Sequence, residues 1–318
     1  EEHGRVTGLV GVTPGRASVK CRWFAPHQPE IWARTRWIMT ISDYLTHALT
    51  DLRLGDASTA VLTGLYSLPG RDWWPAALAT FGIDGAQLSR PLTPGRAIGV
   101  TGASARTWLG LPAGIPYAVG ALDHHAAALG SGLGAWADAS LSTGTVLAAL
   151  VLVDAIKPEA GCIHGPHVDD RRFYRLTFDP RGAGQVEDYR RTHAPGFTIE
   201  QLLDQAERAS VSLESPRPVH GAAMLELLQR IADTQKRLLA QVADLCPVQR
   251  VTATGGGARS PFWLQLTADT LGVPLVAVAS PERACLGAAL WAAVAAGVWP
   301  DLATASARMV KAPRVFSP

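Results

Sequence analysis

The last third of the chain alternates β-rich runs with helical stretches, and this order limits the fold more than any other feature. A β-rich run at 249–254 ends in three glycines, Gly255 to Gly257, before a helical stretch at 261–271. A second β-rich run at 274–279 then leads into a helix at 283–297. Such alternation is typical of layered α/β domains with parallel strands. We therefore predict an α/β fold for this region.

The segment before it adds strands and longer helices. Two closely joined strands are predicted at 139–147 and 147–154, and a third at 173–180. Helical periodicity follows at three places, 183–192, 199–210 and 222–245. Earlier in the chain, apolar residues spaced at helical period predict one helix over 29–50 that breaks near Ser42.

Composition excludes several classes of protein. The 318 residues carry a formal charge of +2, without the dense basic stripe of a nucleic-acid-binding protein. No signal-peptide pattern opens the sequence. The most apolar stretch, 284–299, is too short to span a bilayer comfortably and predicts a buried helix. The four widely spaced cysteines predict reduced, mostly buried thiols in a cytoplasmic protein. No nucleic acid or membrane partner is therefore expected.

Two glycine-containing turns could cradle an anion. At 255–257, three glycines before a helix let the backbone approach a ligand closely, and Pro261 suits the first turn of that helix. At 142–145, the sequence Ser-Thr-Gly-Thr joins two predicted strands and can form a nest of backbone N–H groups. Ordinary tight turns without a ligand explain either pattern equally well.

An acid and two histidines stand between small residues in "ALDHHAAALG". Asp123 has the position of a helix N-cap or, alternatively, of a general base that takes a proton from a hydroxyl. His124 and His125 are adjacent, so on a helix they point in different directions. The segment 162–170 adds His164, His167 and two aspartates, but its Gly165-Pro166 pair favours an exposed loop over a metal site.

Five segments in order give the chain a family resemblance. The stretches "VKCRWFAPHQPEIWARTRWIMTISDYLTHALT", "VGALDHHAAALGSG", "DASLSTGT", "ATGGGARSPFWLQLTADTLGVPL" and "ERACLGAALWAAVAAG" resemble motifs of the FGGY family of carbohydrate kinases. The resemblance covers nearly the whole chain and points to the xylulokinase or pentulose kinase branch. Asp51 stands where that family usually has glycine.

The resemblance implies an actin-like, ribonuclease H-like ATPase fold of two domains, cytoplasmic, with a cleft between them. Residues 1–116 would be the remainder of the N-terminal, sugar-binding domain, and residues 117–318 the C-terminal, nucleotide-binding domain. The implied activity is transfer of the γ-phosphoryl group of ATP, with Mg²⁺, to a hydroxyl of a ketopentose or related sugar or polyol. Phosphoryl transfer depends mainly on positioning and charge stabilisation, without a covalent nucleophile.

The resemblance also assigns roles to residues. Asp123 would be the catalytic base and would orient the sugar, with His124 as a second sugar contact. The remaining implied residues bind the nucleotide: Gly144 and Thr145 near the phosphates, Gly184 near the nucleotide, and Gly256, Gly257 and Ser260 around the adenosine. No residue is implied as a metal ligand.

Three departures from the family pattern shape what we expect of the chain. The family's opening strand and Asp-x-Gly-Thr loop, with about a hundred residues of the first domain, are not in this sequence. The segment 209–220 is too short for the usual Gly-Glu-Arg-x-Pro motif, and His124 replaces a glutamine. We therefore expect an N-terminally truncated member with a near-complete second domain, an incomplete first domain and weak or absent turnover. Self-association, as a homodimer, is one way to cover the apolar surface this leaves.

Two other functions are compatible with the sequence. One is a non-catalytic actin-like module that binds a nucleotide or a sugar without turnover. The other is a metal-dependent hydrolase built on Asp123 and four histidines: His124, His125, His164 and His167.

Overall fold

A computed structural model describes residues 2–211, 218–280, 282–311 and 313–318 of the chain. Residues 212–217, half of the segment too short for the Gly-Glu-Arg-x-Pro motif, lie outside the described residues. The contacts between residues group the chain into two compact units that interleave along the sequence. Unit 1 comprises Glu1–Ala126, Leu152–Arg175 and Cys285–Met309, and unit 2 comprises Ala127–Val151, Leu176–Ala284 and Val310–Pro318. The domain boundary expected after residue 116 stays a prediction.

The first part of the chain consists of short helices and very short strands. The helices are α1 (Glu2–Thr7), α2 (Ala17–His27), α3 (Pro29–Arg34), α4 (Ile41–Thr50), α5 (Ala57–Ala60), α6 (Pro75–Phe81), α7 (Ala103–Leu109) and α8 (Asp123–Gly130). The strands are β1 (Leu54–Asp56), β2 (Tyr66–Ser67), β3 (Asp72–Trp73), β4 (Arg90–Leu92), β5 (Ala97–Val100) and β6 (Pro116–Ala118). They pair two by two, β1 with β4, β2 with β3 and β5 with β6.

The rest of the chain has longer elements. The strands are β7 (Ala139–Thr143), β8 (Leu147–Val153), β9 (Cys162–Pro166), β10 (Phe173–Asp179), β11 (Val251–Thr254), β12 (Leu275–Ala277) and β13 (Arg314–Phe316). The helices are α9 (Gly184–His193), α10 (Ile199–Val211), α11 (Gly221–Val242), α12 (Pro261–Leu271), α13 (Arg283–Ala295) and α14 (Leu302–Met309). Short 3₁₀ helices cover Ala243–Leu245 and Gly256–Arg259.

The sheet of unit 2 has the strand order β13-β12-β11-β7-β8-β10. Strand β11 runs parallel to both of its neighbours, β7 and β12, while β8 is antiparallel to β7 and β13 is antiparallel to β12. The two adjacent parallel strands β7 and β11 therefore end at the same edge of the sheet, where Ser142 pairs with Thr254. The alternation predicted from the sequence is confirmed, and the predicted helix 261–271 has the observed bounds.

Helix α11 covers this sheet with one apolar face. The helix predicted at 222–245 is confirmed, except that its last residues form a 3₁₀ turn in which Leu245 is exposed. Its buried residues include Met224, Leu228, Ile231 and Val242. Burying each such side chain contributes about 1.5 to 3 kcal/mol to folding.

The helix expected over 29–50 is broken, as predicted, but not at the predicted position. The structure has two helices, α3 and α4, separated by residues 35–40, so the break comes earlier than Ser42. The physical reason is a capping box: the Thr40 hydroxyl accepts a hydrogen bond from the Asp43 backbone N–H, and the Asp43 carboxylate accepts one from the Thr40 N–H. These bonds satisfy N–H groups at the start of α4, so a new helix begins there.

The exposed loop expected at Gly165-Pro166 is also wrong, because both residues lie buried in strand β9. The ring of Tyr174, on the neighbouring strand β10, lies directly over Gly165, so that a Cβ atom there would overlap it. A glycine and a proline usually mark a turn. Here they belong to a strand, and an aromatic ring packs over the glycine.

The structure also limits two expectations about burial. Helix α13 is buried on one face only, through Leu290 and Trp291, whereas Ala288 and Ala292 on its other side are exposed. Cys162 is buried, Cys21 and Cys246 are half-buried and Cys285 is exposed, so the prediction of mostly buried thiols is wrong. In the part of the chain that the structure describes, no helix combines the length and apolar character needed to cross a membrane.

Gly287 allows α13 and α8 to pack backbone against backbone within unit 1, because a Cβ atom there would overlap the carbonyl oxygen of Ala126. We expect Gly287→Ala to lower the free energy of unfolding by about 2 kcal/mol, even though alanine favours a helix by about 1 kcal/mol. Urea titration measures this. Gly15→Ala is the control, since a Cβ atom at Gly15 meets open space. Equal stabilities of the two variants would contradict the packing argument.

Candidate functional site

Asp123 begins helix α8 and is exposed. Its Oδ1 accepts a hydrogen bond from the backbone N–H of His124 at 2.7 Å. A carboxylate at a helix start is favoured by the partial positive charge of the first N–H groups. Asp123 is the first helical residue and accepts from the residue directly after it, so it does not show the N-cap hydrogen bond expected from the sequence. Its carboxylate is open to solvent, which is compatible with a role as proton acceptor.

The two histidines after Asp123 differ in environment. His124 is half-buried, whereas His125 is completely buried. The Nε2 atom of His125 lies 2.9 Å from Nδ1 of His167, which is itself buried at the end of β9. The expectation that the adjacent histidines point in different directions is confirmed.

The residues of the hydrolase alternative do not converge on a metal site. His125 and His167 hydrogen-bond to each other, and His164 instead lies near the Gly8 carbonyl oxygen and the Lys157 N–H. Among the described residues, no group of three or more His, Cys, Asp or Glu side chains could hold a metal ion.

A buried polar network next to α8 was not predicted from the sequence. The Asp56 carboxylate accepts hydrogen bonds from the N–H and hydroxyl of Ser58 and from the Thr59 N–H, at 2.7, 2.6 and 3.0 Å. Ser58 Oγ in turn accepts a hydrogen bond from the Leu122 N–H at 2.9 Å, immediately before Asp123. Burial raises the pKa of Asp56 to about 6. The pattern Asp-x-Ser-Thr is a helix N-cap signal, so the cap was readable in the sequence, although its contact with Leu122 was not.

In unit 2, the turn between β7 and β8 contacts the start of α9. The Gly182 N–H donates to the Thr145 carbonyl oxygen at 3.0 Å, and the Ala183 N–H donates to the Gly144 carbonyl oxygen at 2.7 Å. A Cβ atom at Gly182 would overlap these carbonyl oxygens. The structure therefore brings Gly144, Thr145 and Gly184 together, three residues for which the family resemblance implies nucleotide binding.

The glycine turn after β11 packs against the same edge of the sheet. Gly255 has φ +85°, which favours glycine, and a Cβ atom there would overlap the backbone of Thr143 and Gly144. A 3₁₀ turn follows, and Ser260 caps α12 by accepting a hydrogen bond from the Trp263 N–H at 3.3 Å. The predicted start of this helix is confirmed.

A cleft of about 580 Å³ opens beside this turn. A Cβ atom at Gly256 would meet open space, so the bare backbone of the turn faces the cleft. Its other walls are apolar and acidic side chains of α9, α10 and α12, together with Arg259 of the turn. The lining includes Val186, Ile199, Glu200, Leu203, Asp204, Glu207, Gly256, Gly257, Arg259, Ser260, Phe262 and Trp263. The volume is typical of a small-molecule site.

Comparison with known protein families decides to which one the chain belongs. Residues 3–130 match the N-terminal domain of the FGGY family of carbohydrate kinases, and residues 80–296 match its C-terminal domain. The chain belongs to the FGGY family of carbohydrate kinases. The resemblance seen in the sequence is thereby confirmed.

Three known proteins illustrate the similarity, each at 27% sequence identity or less. An autoinducer-2 kinase from Escherichia coli (strain SMS-3-5 / SECEC) is 27% identical over 338 residues, covering 93% of this chain and 64% of the relative. The xylulose kinase from Rhodospirillum rubrum matches with a TM-score of 0.87 at 23% identity, over 100% of this chain and 70% of that one. Plasmodium falciparum glycerol kinase, solved with ADP, matches with a TM-score of 0.81 at 17% identity, over 99% and 70%.

The structural and the sequence comparisons support different statements about this chain. The likeness to solved FGGY kinases confirms the predicted actin-like α/β fold. The chain spans 64% of the length of the autoinducer-2 kinase it matches. The roles assigned to Asp123, His124 and the nucleotide-binding residues stay predictions.

The buried pair of His125 and His167 leads to a prediction about how the stability of the fold depends on pH. Burial lowers the pKa of His167 to about 4, opposed by Asp169 and reinforced by Arg172. An unfolded histidine titrates near pH 6.5, so between about pH 6.5 and 4 the unfolded chain binds more protons than the folded chain. The stability contributed by neutral His167 is therefore present above pH 6.5 and is lost as the pH falls toward 4.

We expect this group to lower the free energy of unfolding by about 2 kcal/mol between pH 7 and pH 5. Urea titrations at both pH values on the unmodified chain and on the His167→Leu variant measure the contribution of His167 together with its effect on its partner His125. The variant should lose less stability over this range than the unmodified chain. Equal losses would show that His167 does not stay neutral in the folded chain.

Proposed function

We propose that the protein is an ATP-dependent sugar kinase that phosphorylates a hydroxyl of a ketopentose or related sugar or polyol. The observation that carries the proposal is the cleft beside Gly256, in a chain that belongs to the FGGY family of carbohydrate kinases. The cleft adjoins a glycine-containing turn at the carboxyl ends of adjacent parallel strands, which is where open α/β sheets bind ligands.

The cleft suits the nucleoside end of ATP. Phe262, Val186 and Leu203 supply apolar contacts for the adenine, and the bare backbone at Gly256 admits close approach. Acidic residues of α10 also line the cleft: Glu200, Asp204 and Glu207. Because carboxylates repel phosphate groups, we place the nucleoside there and the triphosphate toward Gly144, Thr145 and Gly184.

Mg²⁺ would enter with the ATP phosphates. Kinases usually hold this ion with one or two carboxylates plus phosphate oxygens and water, so a dedicated cluster of protein ligands is not required. Since the described residues contain no group that could hold a metal by itself, we assign no residue as a ligand. When bound, the ion would neutralise charge on the transferred phosphoryl group.

Asp123 is the residue that we assign as general base. Its exposed carboxylate would accept the proton of the sugar hydroxyl as that oxygen forms its bond to the γ-phosphorus. The bond from the γ-phosphorus to the bridging oxygen breaks at the same step, and ADP leaves with the electron pair. His124, half-buried beside Asp123, would contact the sugar, and its identity bears on which sugar is accepted.

Replacing the base tests this assignment. We expect Asp123→Asn to lower kcat for sugar phosphorylation about 10²- to 10⁴-fold with little change in KM for ATP. Asp72→Asn is the matched control, because Asp72 is also exposed and also accepts the N–H of the following residue, at 2.8 Å. Coupled detection of ADP over a panel of pentuloses and polyols measures both variants. An Asp123→Asn protein with unchanged kcat would refute the base assignment.

Filling the cleft tests the nucleotide site. We expect Gly256→Val to raise the Kd for ATP at least about tenfold, because its side chain would occupy the space in front of the turn. Gly196→Val is the control, since a Cβ atom there also meets open space but Gly196 lies outside the cleft lining. Calorimetry gives both affinities. Tight ATP binding by the unmodified chain without turnover on any sugar would instead favour the non-catalytic binding module.

A further inference from the structure

A buried hydrogen bond lies near Asp123, in the first turn of helix α8. None of the roles expected from the sequence explains it. His125 has no exposed surface, and its Nε2 lies 2.9 Å from Nδ1 of His167, 42 residues further along the chain. The ring of His125 also packs against Tyr174 and Trp291, with ring centroids 5.3 and 5.4 Å away. Two imidazoles at this distance share one proton between facing nitrogens, so one ring donates and the other accepts.

The proton arrangement in this pair follows from burial. Burial lowers the pKa of His125 and of His167, so both rings are neutral at pH 7. The Nδ1 atom of His125 is buried without a hydrogen-bond partner among the described residues. We assign the proton of His125 to Nε2, because a buried unpaired N–H costs more than an unpaired nitrogen lone pair. His125 then donates to Nδ1 of His167.

A second contact, from Leu122 to the buried Ser58, lies on the other side of Asp123 along the chain. The Leu122 N–H donates to Ser58 Oγ at 2.9 Å, and the Ser58 hydroxyl donates to the buried Asp56 carboxylate at 2.6 Å. Tyr174 joins the two contacts, because its hydroxyl donates to the Ser58 carbonyl oxygen at 2.6 Å while its ring packs on His125. Along the chain, the exposed Asp123 thus lies between Leu122 and His125, and each of these two residues hydrogen-bonds to a buried residue.

We infer that His125 is a positioning residue for Asp123, and that its hydrogen bond to His167 fixes the first turn of α8 so that the carboxylate keeps one orientation. The inference rests on the proposed role of Asp123 as general base. A carboxylate on a loose helix end would spend less time in the reactive geometry, and a displacement of about 1 Å can lower a rate about a hundredfold.

Hydrogen exchange tests the fixing of the helix without any need for activity. The reporter is the Ala126 N–H, which donates to the Leu122 carbonyl oxygen at 2.9 Å in the first turn of α8. In His125→Phe, which keeps a ring but loses the hydrogen bond, we expect this amide to exchange at least about tenfold faster. In His125→Gln, whose amide can still donate to His167, exchange should stay close to that of the unmodified chain.

Helix α4, also in unit 1, separates local fixing from general stability. If His125 only stabilised the fold, amides of α4 and α8 would exchange faster together in His125→Phe. We expect α8 alone to respond. His167→Leu removes the same hydrogen bond from the other side and should give the same pattern, which keeps the test available if His125→Phe does not fold. An unchanged first turn of α8, or an equal response in α4, would overturn the inference.

Kinetics links the fixed helix to catalysis. We expect His125→Phe to lower kcat for sugar phosphorylation about 10- to 100-fold with KM for ATP unchanged, and His125→Gln to recover most of the loss. A kcat that stays unchanged while α8 loosens would also overturn the inference. Turnover by this chain is expected to be weak, so the proposed function, and with it the catalytic meaning of the contact, fails if the unmodified protein neither phosphorylates a sugar nor binds ATP. Failure of the exchange test alone leaves the kinase proposal standing.

Discussion

The close approach of the glycine turn to the end of strand β7 is the contact on which the candidate nucleotide site depends. Gly255, with a positive φ, lies against the backbone of Thr143 and Gly144, and Gly257 lies against the Thr143 side chain. Side chains at these glycines would push apart two neighbouring parallel strands at their carboxyl ends. Gln235 of α11 donates to Thr143 Oγ1 at 2.8 Å from the buried side. The backbone contact of Gly255 and the buried hydrogen bond from Gln235 to Thr143 thus hold the glycine turn beside the cleft.

In unit 1, three consecutive residues at the start of helix α8 lie in environments of different solvent exposure. Asp123 is exposed, His124 is half-buried and His125 is fully buried. The 100° turn between successive helical residues makes this separation possible within one turn of helix. The buried member needs a polar partner, since an imidazole without one would lose its hydrogen bonds with water. His167 supplies it, and that explains why two histidines that suggest a metal site instead bond to each other.

Local signals predicted those elements whose ends depend on their own residues. The start of α12 follows from Ser260 and Pro261, because serine is favoured as a helix cap and proline at the first helical position. Predictions were wrong where packing against a residue elsewhere in the chain outweighed a local sequence signal. Gly165-Pro166 looks like a turn, but the Tyr174 ring makes it a buried strand. The error at 29–50 was of another kind, because the Thr40–Asp43 capping box that divides the helix was present in the sequence.

The sequence by itself determined the α/β order of unit 2, the glycine turn before α12, and the divergence of His124 from His125. Each depends on spacing along one element, which the chain carries locally. Only the tertiary structure decided that Gly184 meets Gly144 and Thr145, and that His125 meets His167. Those pairs come from strand order in the sheet and from packing between elements tens of residues apart, and no local periodicity encodes either.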